Sequence, residues 1–394
     1  MERKVYFDHA ATTPTDRRVI ETMLPYFNEQ YGNPSSVYEI ARSNKQAVDV
    51  AREQVASAIN ADTKEIYFTA GGTEADNWAI KGIAESYKDK GNHIITTEIE
   101  HHAVMHTCEY LERNGYEVTY LPVDEDGKIS IEDLKGAIKE TTILITIMFA
   151  NNEIGTIQPV KEIGEVAREH GVIFHTDAVQ AVGHIPIDVQ EMNIDLLSLS
   201  GHKLYGPKGV GALYVKKGVK LRAFIHGGAQ ERKRRGGTEN VPGIVGLGKA
   251  IELAMESMEE ENEKLIALRE RLIKGALETI PHTKLNGHPT DRLPGNANLS
   301  FRFIEGEALL ITLDMYGVFG SSGSACTSGS LDPSHVLLAI GLPHEIAHGS
   351  LRISIGRSNT EEDVDYLLSV LPEIVQRLRD MSPLYEDYMQ EQGQ

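Results

Sequence analysis

Short apolar segments alternate with longer helical segments from about residue 60 to residue 217. Val172–Ala178 and Asp195–Ser200 have the composition of strands buried on both faces, whereas residues 160–170 place apolar side chains on one helical face. This alternation predicts an α/β fold with a mainly parallel sheet that helices cover on both sides. The seven predicted strands are residues 65–70, 93–99, 117–123, 142–149, 172–178, 195–200 and 211–215.

The pattern changes after Pro242, where a helical stretch runs from about residue 245 to residue 280. It carries an acidic run, which we interpret as a solvated helix face. The residues beyond it combine a few strands with helices, a pattern typical of a small α+β domain. We therefore predict a large domain at residues 15–250 and a smaller α+β domain formed by residues 1–14 together with residues 251–394.

Charge and cysteine content limit the classes of function. The net charge of −19 argues against binding to nucleic acid by charge alone. The two cysteines, Cys108 and Cys326, have no CxxC or zinc-type spacing, a usage typical of a reducing compartment. No signal-peptide pattern opens the chain, and no stretch approaches the ~20 apolar residues of a membrane span. A soluble cytoplasmic protein with no nucleic-acid or membrane partner is expected.

Two polar residues are predicted at the carboxyl ends of strands, where open α/β sheets bind ligands. Lys203 follows a strand in Ser-Gly-His-Lys, and a desolvated lysine there would be a neutral amine able to form a Schiff base. Asp177 lies in His-Thr-Asp-Ala-Val-Gln, and pyridoxal phosphate (PLP) chemistry needs such an anion beside the pyridine nitrogen. Gln180 is near enough to bond the ring oxygen. In isolation, a surface lysine and a turn-capping aspartate are the ordinary alternatives.

Two further segments suit a phosphorylated, flat cofactor. Gly72 and Thr73 join a predicted strand to a predicted helix, and their N–H groups could bind a phosphate at the helix N-terminus. A simple capped helix start explains them equally well. His101, in Thr-Glu-Ile-Glu-His-His, could stack on an aromatic ring and move protons near neutral pH, or cap the following helix.

The two cysteines differ in their surroundings. Cys326 lies in Ser-Ser-Gly-Ser-Ala-Cys-Thr-Ser-Gly, and a thiol among serine and glycine is expected to be exposed and able to act as a nucleophile. Cys108 lies in an apolar helical segment, where cysteine usually serves packing. An accidental loop cysteine is the alternative interpretation of Cys326.

Five motifs occur together and in a characteristic order: TEIEHHAV, NNEIG, HTDAVQ, SGHKLYGPKG and SSGSACTSG. They resemble the cysteine desulfurases of the NifS/IscS type, which are fold-type I PLP enzymes. The resemblance extends from DHAATTP at Asp8–Pro14 to SLRISIGR at Ser350–Arg357. It implies that the chain is a homodimer that removes sulfur from L-cysteine. The products would be L-alanine and a persulfide on Cys326, passed on to an acceptor such as an iron–sulfur scaffold protein.

The resemblance also implies a role for each matching residue. Lys203 would bind PLP covalently and move the α-proton, while His101 would stack on the ring. Asp177 would pair with the ring nitrogen, and Gln180 would bond the ring oxygen. The phosphate would be held by Gly72, Thr73, Ser200, His202 and the partner subunit's Thr238, and the substrate carboxylate by Asn152 and Arg352. At the position of Gly72, the family more often has alanine or serine.

Three alternatives remain open. The segment His344–His348 matches the HExxH zinc-protease motif, although Pro343 and Gly349 confine it to a short helix. A selenocysteine lyase or a related PLP lyase would share most of the motifs, but the serine-rich segment around Cys326 favours a desulfurase. A non-catalytic scaffold for cluster assembly would have no need of Lys203.

Overall fold

A computed structural model describes residues 3–322 and 333–392. The strands are β1 (Val5–Tyr6), β2 (Ile66–Thr69), β3 (His93–Thr97), β4 (Glu117–Leu121), β5 (Thr142–Thr146), β6 (Ile173–Asp177), β7 (Leu196–Ser200), β8 (Gly211–Val215), β9 (Thr283–Asn286), β10 (Asn296–Phe301), β11 (Val318–Phe319) and β12 (Ser350–Ser354). The first helices are α1 (Arg17–Met23), α2 (Pro25–Asn28), α3 (Glu39–Ala58), α4 (Gly72–Tyr87), α5 (His102–Glu112), α6 (Ile131–Ala137) and α7 (Val160–His170). They are followed by α8 (Gln230–Lys233), α9 (Val241–Thr279), α10 (Gly306–Met315), α11 (His335–Ala339), α12 (His344–His348), α13 (Glu361–Asp380) and α14 (Pro383–Glu391).

The central sheet has seven strands in the order β2-β8-β7-β6-β5-β3-β4. Its neighbouring strands are parallel except at β8, which runs antiparallel to both β2 and β7. Strands β5, β7 and β8 are buried along their whole length, as expected for a sheet with helices on both faces. The predicted α/β fold with a mainly parallel seven-stranded sheet is confirmed.

A second hydrophobic core surrounds the antiparallel sheet β12-β10-β9 and the parallel pair β1-β11. Val5 and Phe7 belong to this core, so the start of the described chain packs against its last third. Helix α9 contributes to both cores, through residues such as Leu247 in the first and Leu272 in the second. The predicted boundary at residue 250 falls inside this one continuous helix, and the domain limits stay a prediction.

One of the alternatives, the zinc protease, can be compared with the fold. The HExxH segment forms α12, a helix of only five residues. In the part of the chain that the structure describes, no group of three or more histidine, cysteine, aspartate or glutamate side chains could hold a metal ion. The geometry therefore gives the zinc-protease interpretation no support. Among residues 3–322 and 333–392, no helix is both long enough and apolar enough to cross a membrane.

Candidate active site

A cavity of about 260 Å³ opens at the carboxyl ends of β5, β6 and β7, at the edge of the sheet where a ligand was expected. It brings together most of the residues predicted for cofactor and substrate: Gly72, Thr73, His101, Asn152, Asp177, Gln180, Ser200, His202, Lys203 and Arg352. Thr238 is exposed and lines a different cavity, of about 240 Å³. Cys326 lies outside the described residues.

Lys203 lies half-buried at the end of a 3₁₀ turn that follows β7. Its Nζ donates hydrogen bonds to the carbonyl oxygens of Ala10 and Ala11, the latter at 2.7 Å. The side-chain amide of Gln180 donates to the same Ala10 oxygen at 3.0 Å. Two backbone carbonyls of the N-terminal segment therefore orient the amine. The sequence analysis gave them no role, although the DHAATTP motif contains them.

Two carboxyl groups line the cavity, although the sequence predicted only one. Asp177 accepts a hydrogen bond from the N–H of Val179 at 2.9 Å. Burial raises the pKa of Asp177 to about 6, while the N–H of Val179 and the charge of Lys203 lower it. The second carboxyl, Asp76, is 1% exposed on α4. Burial first, and the charge of Asp177 second, raise the pKa of Asp76 well above its usual value.

His101 lines the cavity and also caps a helix. The capping interpretation is confirmed, and stacking on a cofactor ring stays a prediction. Its Nδ1 accepts the backbone N–H of Ala103 at 3.1 Å, at the N-terminus of α5. A neutral ring with Nδ1 as acceptor carries its proton on Nε2. Burial lowers the pKa of His101 to about 4, and the charge of Lys203 adds to the effect. The imidazole is therefore neutral at pH 7.

The start of α4 suits an anion, because the first N–H groups of a helix have no partners within it. Gly72 opens this helix, and Ser200 lies beside it. A Cβ added at Gly72 would lie 2.6 Å from a methyl carbon of Val179 and 3.7 Å from Cβ of Ser200. A side chain at this position would therefore require Val179 to move.

Arg352 lies on β12 and is 3% exposed. Its Nη2 donates to Oδ1 of Asp8 at 2.9 Å, and its Nη1 donates to the carbonyl oxygen of Asn152 at 3.2 Å. Its backbone N–H and C=O both pair with Ser321, at 2.6 and 3.1 Å. This pairing places Ser321, close to the last described residue before the Cys326 segment, beside the backbone of Arg352. Asp8 is a further site residue that the sequence analysis did not identify.

The side chains around the cavity fit PLP. An amine, a carboxylate and a helix N-terminus face one space, as a phosphorylated aldehyde with a basic ring nitrogen requires. Oδ1 of Asp76 and Nε of Arg352 are buried and have no hydrogen-bond partner in the described protein. Buried polar atoms are normally hydrogen-bonded, so these two are available to a bound molecule.

The comparisons with known proteins agree with this geometry. The family model described as aminotransferase class-V matches residues 5–367. A protein from Clostridium botulinum named cysteine desulfurase IscS is 65% identical over 392 residues, which cover 99% of this chain and 98% of the relative. A protein of the same name from Methanosarcina thermophila is 64% identical over 97% of this chain and 94% of its own.

Solved structures show the same fold. One described as a NifS-like protein superimposes with a TM-score of 0.90 at 40% identity, and the match covers 95% of this chain and 100% of that one. Another, described as SspA in complex with cysteine, gives a TM-score of 0.80 at 40% identity over 90% of this chain and 99% of its own.

Proposed function

The chain belongs to the class-V aminotransferase family and is a PLP-dependent cysteine desulfurase, and we propose that it transfers the sulfur of L-cysteine to Cys326. In this step an S–S bond forms between the thiolate of Cys326 and the substrate sulfur as the Cβ–S bond breaks. The electron pair of that bond remains with the carbon, which takes up a proton. The products are L-alanine and a persulfide on the enzyme. The single observation that supports the site best is the convergence of Lys203 and Asp177 on one cavity.

We propose that Lys203 holds PLP covalently and that Asp177 pairs with its ring nitrogen. His101 would stack on the ring, and Gln180 would bond the ring oxygen. When bound, PLP supplies an electron-accepting ring that stabilises negative charge at Cα of the substrate. The phosphate would be held by Gly72, Thr73, Ser200 and His202.

Proton transfer is proposed for Nζ of Lys203, which can take the α-proton and return it once the amine is released. His101 is neutral, because burial lowers the pKa of His101 to about 4. It therefore adds no positive charge beside the ring. We propose that its role is contact with the cofactor face and hydrogen bonding through Nε2.

We propose that Arg352 and Asn152 bind the carboxylate of cysteine. The fork of a guanidinium suits both oxygens of a carboxylate. Nε of Arg352 has no protein partner among the described residues, which leaves a donor for the substrate. Asp8 and the Asn152 carbonyl hold the other guanidinium nitrogens, so the group is fixed before substrate binds.

We propose that the enzyme acts as a homodimer in which the partner subunit's Thr238 completes the phosphate site. Two observations support the proposal. Thr238 lies outside the cavity formed by its own chain. Large apolar side chains between residues 20 and 50 are also exposed, including Phe27 at 62% and Val37 at 85%, and exposed apolar patches often mark protein contacts.

A subunit-mixing experiment tests the shared site. Chains carrying Lys203→Ala and chains carrying Thr238→Ala are each expected to bind PLP poorly alone. In a mixed dimer, one site combines an intact Lys203 with an intact Thr238 from the other chain, so PLP binding returns to wild-type affinity in that site. If Thr238 acted within its own chain, mixing would restore nothing. Light scattering on the wild type is expected to give the mass of two chains, and the mass of one chain would contradict the proposal.

We propose that the persulfide passes to an acceptor protein such as an iron–sulfur scaffold, in the cytoplasm. The support is chemical. With only two cysteines in the chain, and Cys108 fully buried, Cys326 is the residue left for sulfur transfer. Such a thiol is maintained in a reducing compartment.

The reaction itself can be tested on the purified, PLP-loaded protein. Addition of L-cysteine is expected to change the visible absorbance and to produce alanine. Cys326→Ser is expected to keep the absorbance and to lose sulfur transfer, because serine cannot form a persulfide. Cys108→Ser is the matched control and is expected to keep sulfur transfer. Alanine production by Cys326→Ser at the wild-type rate would contradict the role of Cys326, and a wild type that cannot be loaded with PLP would contradict the proposed site.

A further inference from the structure

Asp76 lies beside Asp177 in the cavity lining. No sequence motif had indicated a function for it. Helix α4 covers the face of the sheet on which β6 and β7 present alternate side chains. On β6 these are His175 and Asp177, and on β7 they include Ser198. Asp76 is 1% exposed, lines the same cavity as Asp177, and has no hydrogen-bond partner for its Oδ1 in the described protein.

Buried polar side chains on β5, β6 and β7 contact one another in a series that begins at Asp76. Oδ1 of Asp76 is 3.7 Å from Nε2 of His175, and the Ser198 hydroxyl hydrogen-bonds the Asp76 side chain. Nε2 of His175 is 3.0 Å from Oγ of Ser198, and Nδ1 is 2.8 Å from Oγ1 of Thr146. Both ring nitrogens of His175 therefore have hydrogen-bond partners. Asp76 is the member of this series that lines the cavity.

Among the described residues, the titratable groups that face Asp76 supply no positive charge. They are Asp177 and His175 on β6 and Glu100 after β3. Burial lowers the pKa of His175 to about 3, so its imidazole is neutral. Burial also raises the pKa of Glu100 to about 8, so this carboxyl is mostly protonated at pH 7.

The two aspartates therefore differ in what stabilises a negative charge. Asp177 has the N–H of Val179 and the nearby charge of Lys203. Within the described part of the chain, Asp76 has the Ser198 hydroxyl as its stabilising partner and lies next to the charge of Asp177. Two neighbouring buried carboxyl groups cannot both ionise without a large cost. The single negative charge then resides on Asp177.

We propose that Asp76 is a positioning residue that remains protonated and holds the charged Asp177 in place opposite the ring nitrogen of PLP. The inference rests on the proposed function. As a neutral acid, Asp76 can donate its proton to a hydrogen bond, whereas a carboxylate can only accept. It thereby keeps a neutral polar group beside Asp177 in the cavity lining and leaves the charge at Asp177 undivided.

The test compares Asp76→Asn with Asp76→Leu in full-length protein. Asparagine preserves a neutral hydrogen-bonding group of the same shape, and leucine removes it. The readouts are the PLP dissociation constant of the cofactor-depleted protein and the pH midpoint of the visible absorbance after loading. We expect Asp76→Asn to bind PLP within about threefold of wild type with an unchanged midpoint. We expect Asp76→Leu to bind about tenfold more weakly or worse, as loss of a buried hydrogen bond predicts.

Three outcomes would overturn the inference. A midpoint that moves by about one pH unit in Asp76→Asn would show that Asp76 carries a charge in the wild type. PLP binding by Asp76→Leu that equals wild type would show that Asp76 positions nothing. If the leucine variant does not fold, Asp76→Ala replaces it under the same criteria. A wild type that binds no PLP would overturn the proposed function and this inference together. If the wild type binds PLP and one of the two variant results occurs, only the inference is overturned.

Discussion

Replacing Lys203 with alanine is expected to abolish the visible absorbance of the PLP-loaded protein and to lower alanine formation roughly a thousandfold or more, because the covalent link and the proton-transferring amine are lost together. Among the described residues that line the cavity, Lys203 and Arg352 are the two with cationic side chains besides the histidines, so this amine has no substitute there. Arg352 is bound to Asp8, and its guanidinium is not an amine that could form a Schiff base. Absorbance spectra and an alanine assay on the purified variant measure both effects.

Lys203→Arg is the matched control, because it separates charge from covalent chemistry. Arginine keeps a cation that can donate to the carbonyl oxygens of Ala10 and Ala11 and can lie near Asp177. It cannot provide a neutral amine. We expect Lys203→Arg to fold as stably as wild type in thermal unfolding and to lack alanine formation as completely as Lys203→Ala. Activity in the arginine variant would contradict the covalent role of Lys203.

The sheet was predictable because its strands are buried on both faces and are therefore uniformly apolar. Each of the seven predicted segments contains a strand of the central sheet. The direction of β8 was not predictable in the same way. Gly211–Val215 is as apolar as its neighbours, and its insertion between β2 and β7 depends on pairing between residues far apart in sequence. The pattern of apolar residues indicates which strands are buried. The order of the strands depends on contacts between segments, which the sequence of one segment does not determine.

Helix α3 was missed although its sequence contains a signal. Ala41, Val48, Ala51 and Val55 are buried along α3 at helical spacing, and the last three of them pack in the first core. The polar residues between them obscured that spacing. The prediction concentrated on the alternating segments after residue 60, where strands and helices contrast strongly. An amphipathic helix of this kind is recognised by counting the spacing of its apolar residues against the helical period.

The site was predictable where a residue's type already limits its chemistry. Asp177 ends a strand, and Lys203 and His101 lie within a few residues of strand ends. All three lie in motifs, so their convergence at one sheet edge followed from the fold class. Asp76 and Asp8 have no sequence feature that indicates such chemistry. Asp76 is one helical residue among several polar ones, and only the packing of α4 against β6 and β7 places it in the cavity. The roles of Lys203, Asp177 and His101 stay predictions, as do those of Thr238 and Cys326.

The second large effect is expected at Asp177. Asp177→Asn keeps the shape of the side chain and removes the anion proposed to pair with the ring nitrogen. Loss of one partner from a buried ion pair costs about 3–5 kcal/mol, which corresponds to a decrease in alanine formation of about two to four powers of ten. Steady-state assays at saturating PLP measure the decrease, and Asp76→Asn, which removes a carboxyl from the same cavity, is the matched comparison.

The pH dependence of PLP binding gives an independent measure of the same charge. Burial raises the pKa of Asp177 to about 6 in the cofactor-free protein, so the carboxylate is present above that pH and is lost as the pH falls through it. PLP affinity of the wild type is therefore expected to weaken from pH 7.5 towards pH 5 by more than that of Asp177→Asn, whose amide does not titrate. The ratio of the two affinities removes the titration of PLP itself, which both proteins share. A ratio that stays constant across this range, together with a decrease in activity no larger than that of Asp76→Asn, would mean that the ring nitrogen faces some group other than Asp177.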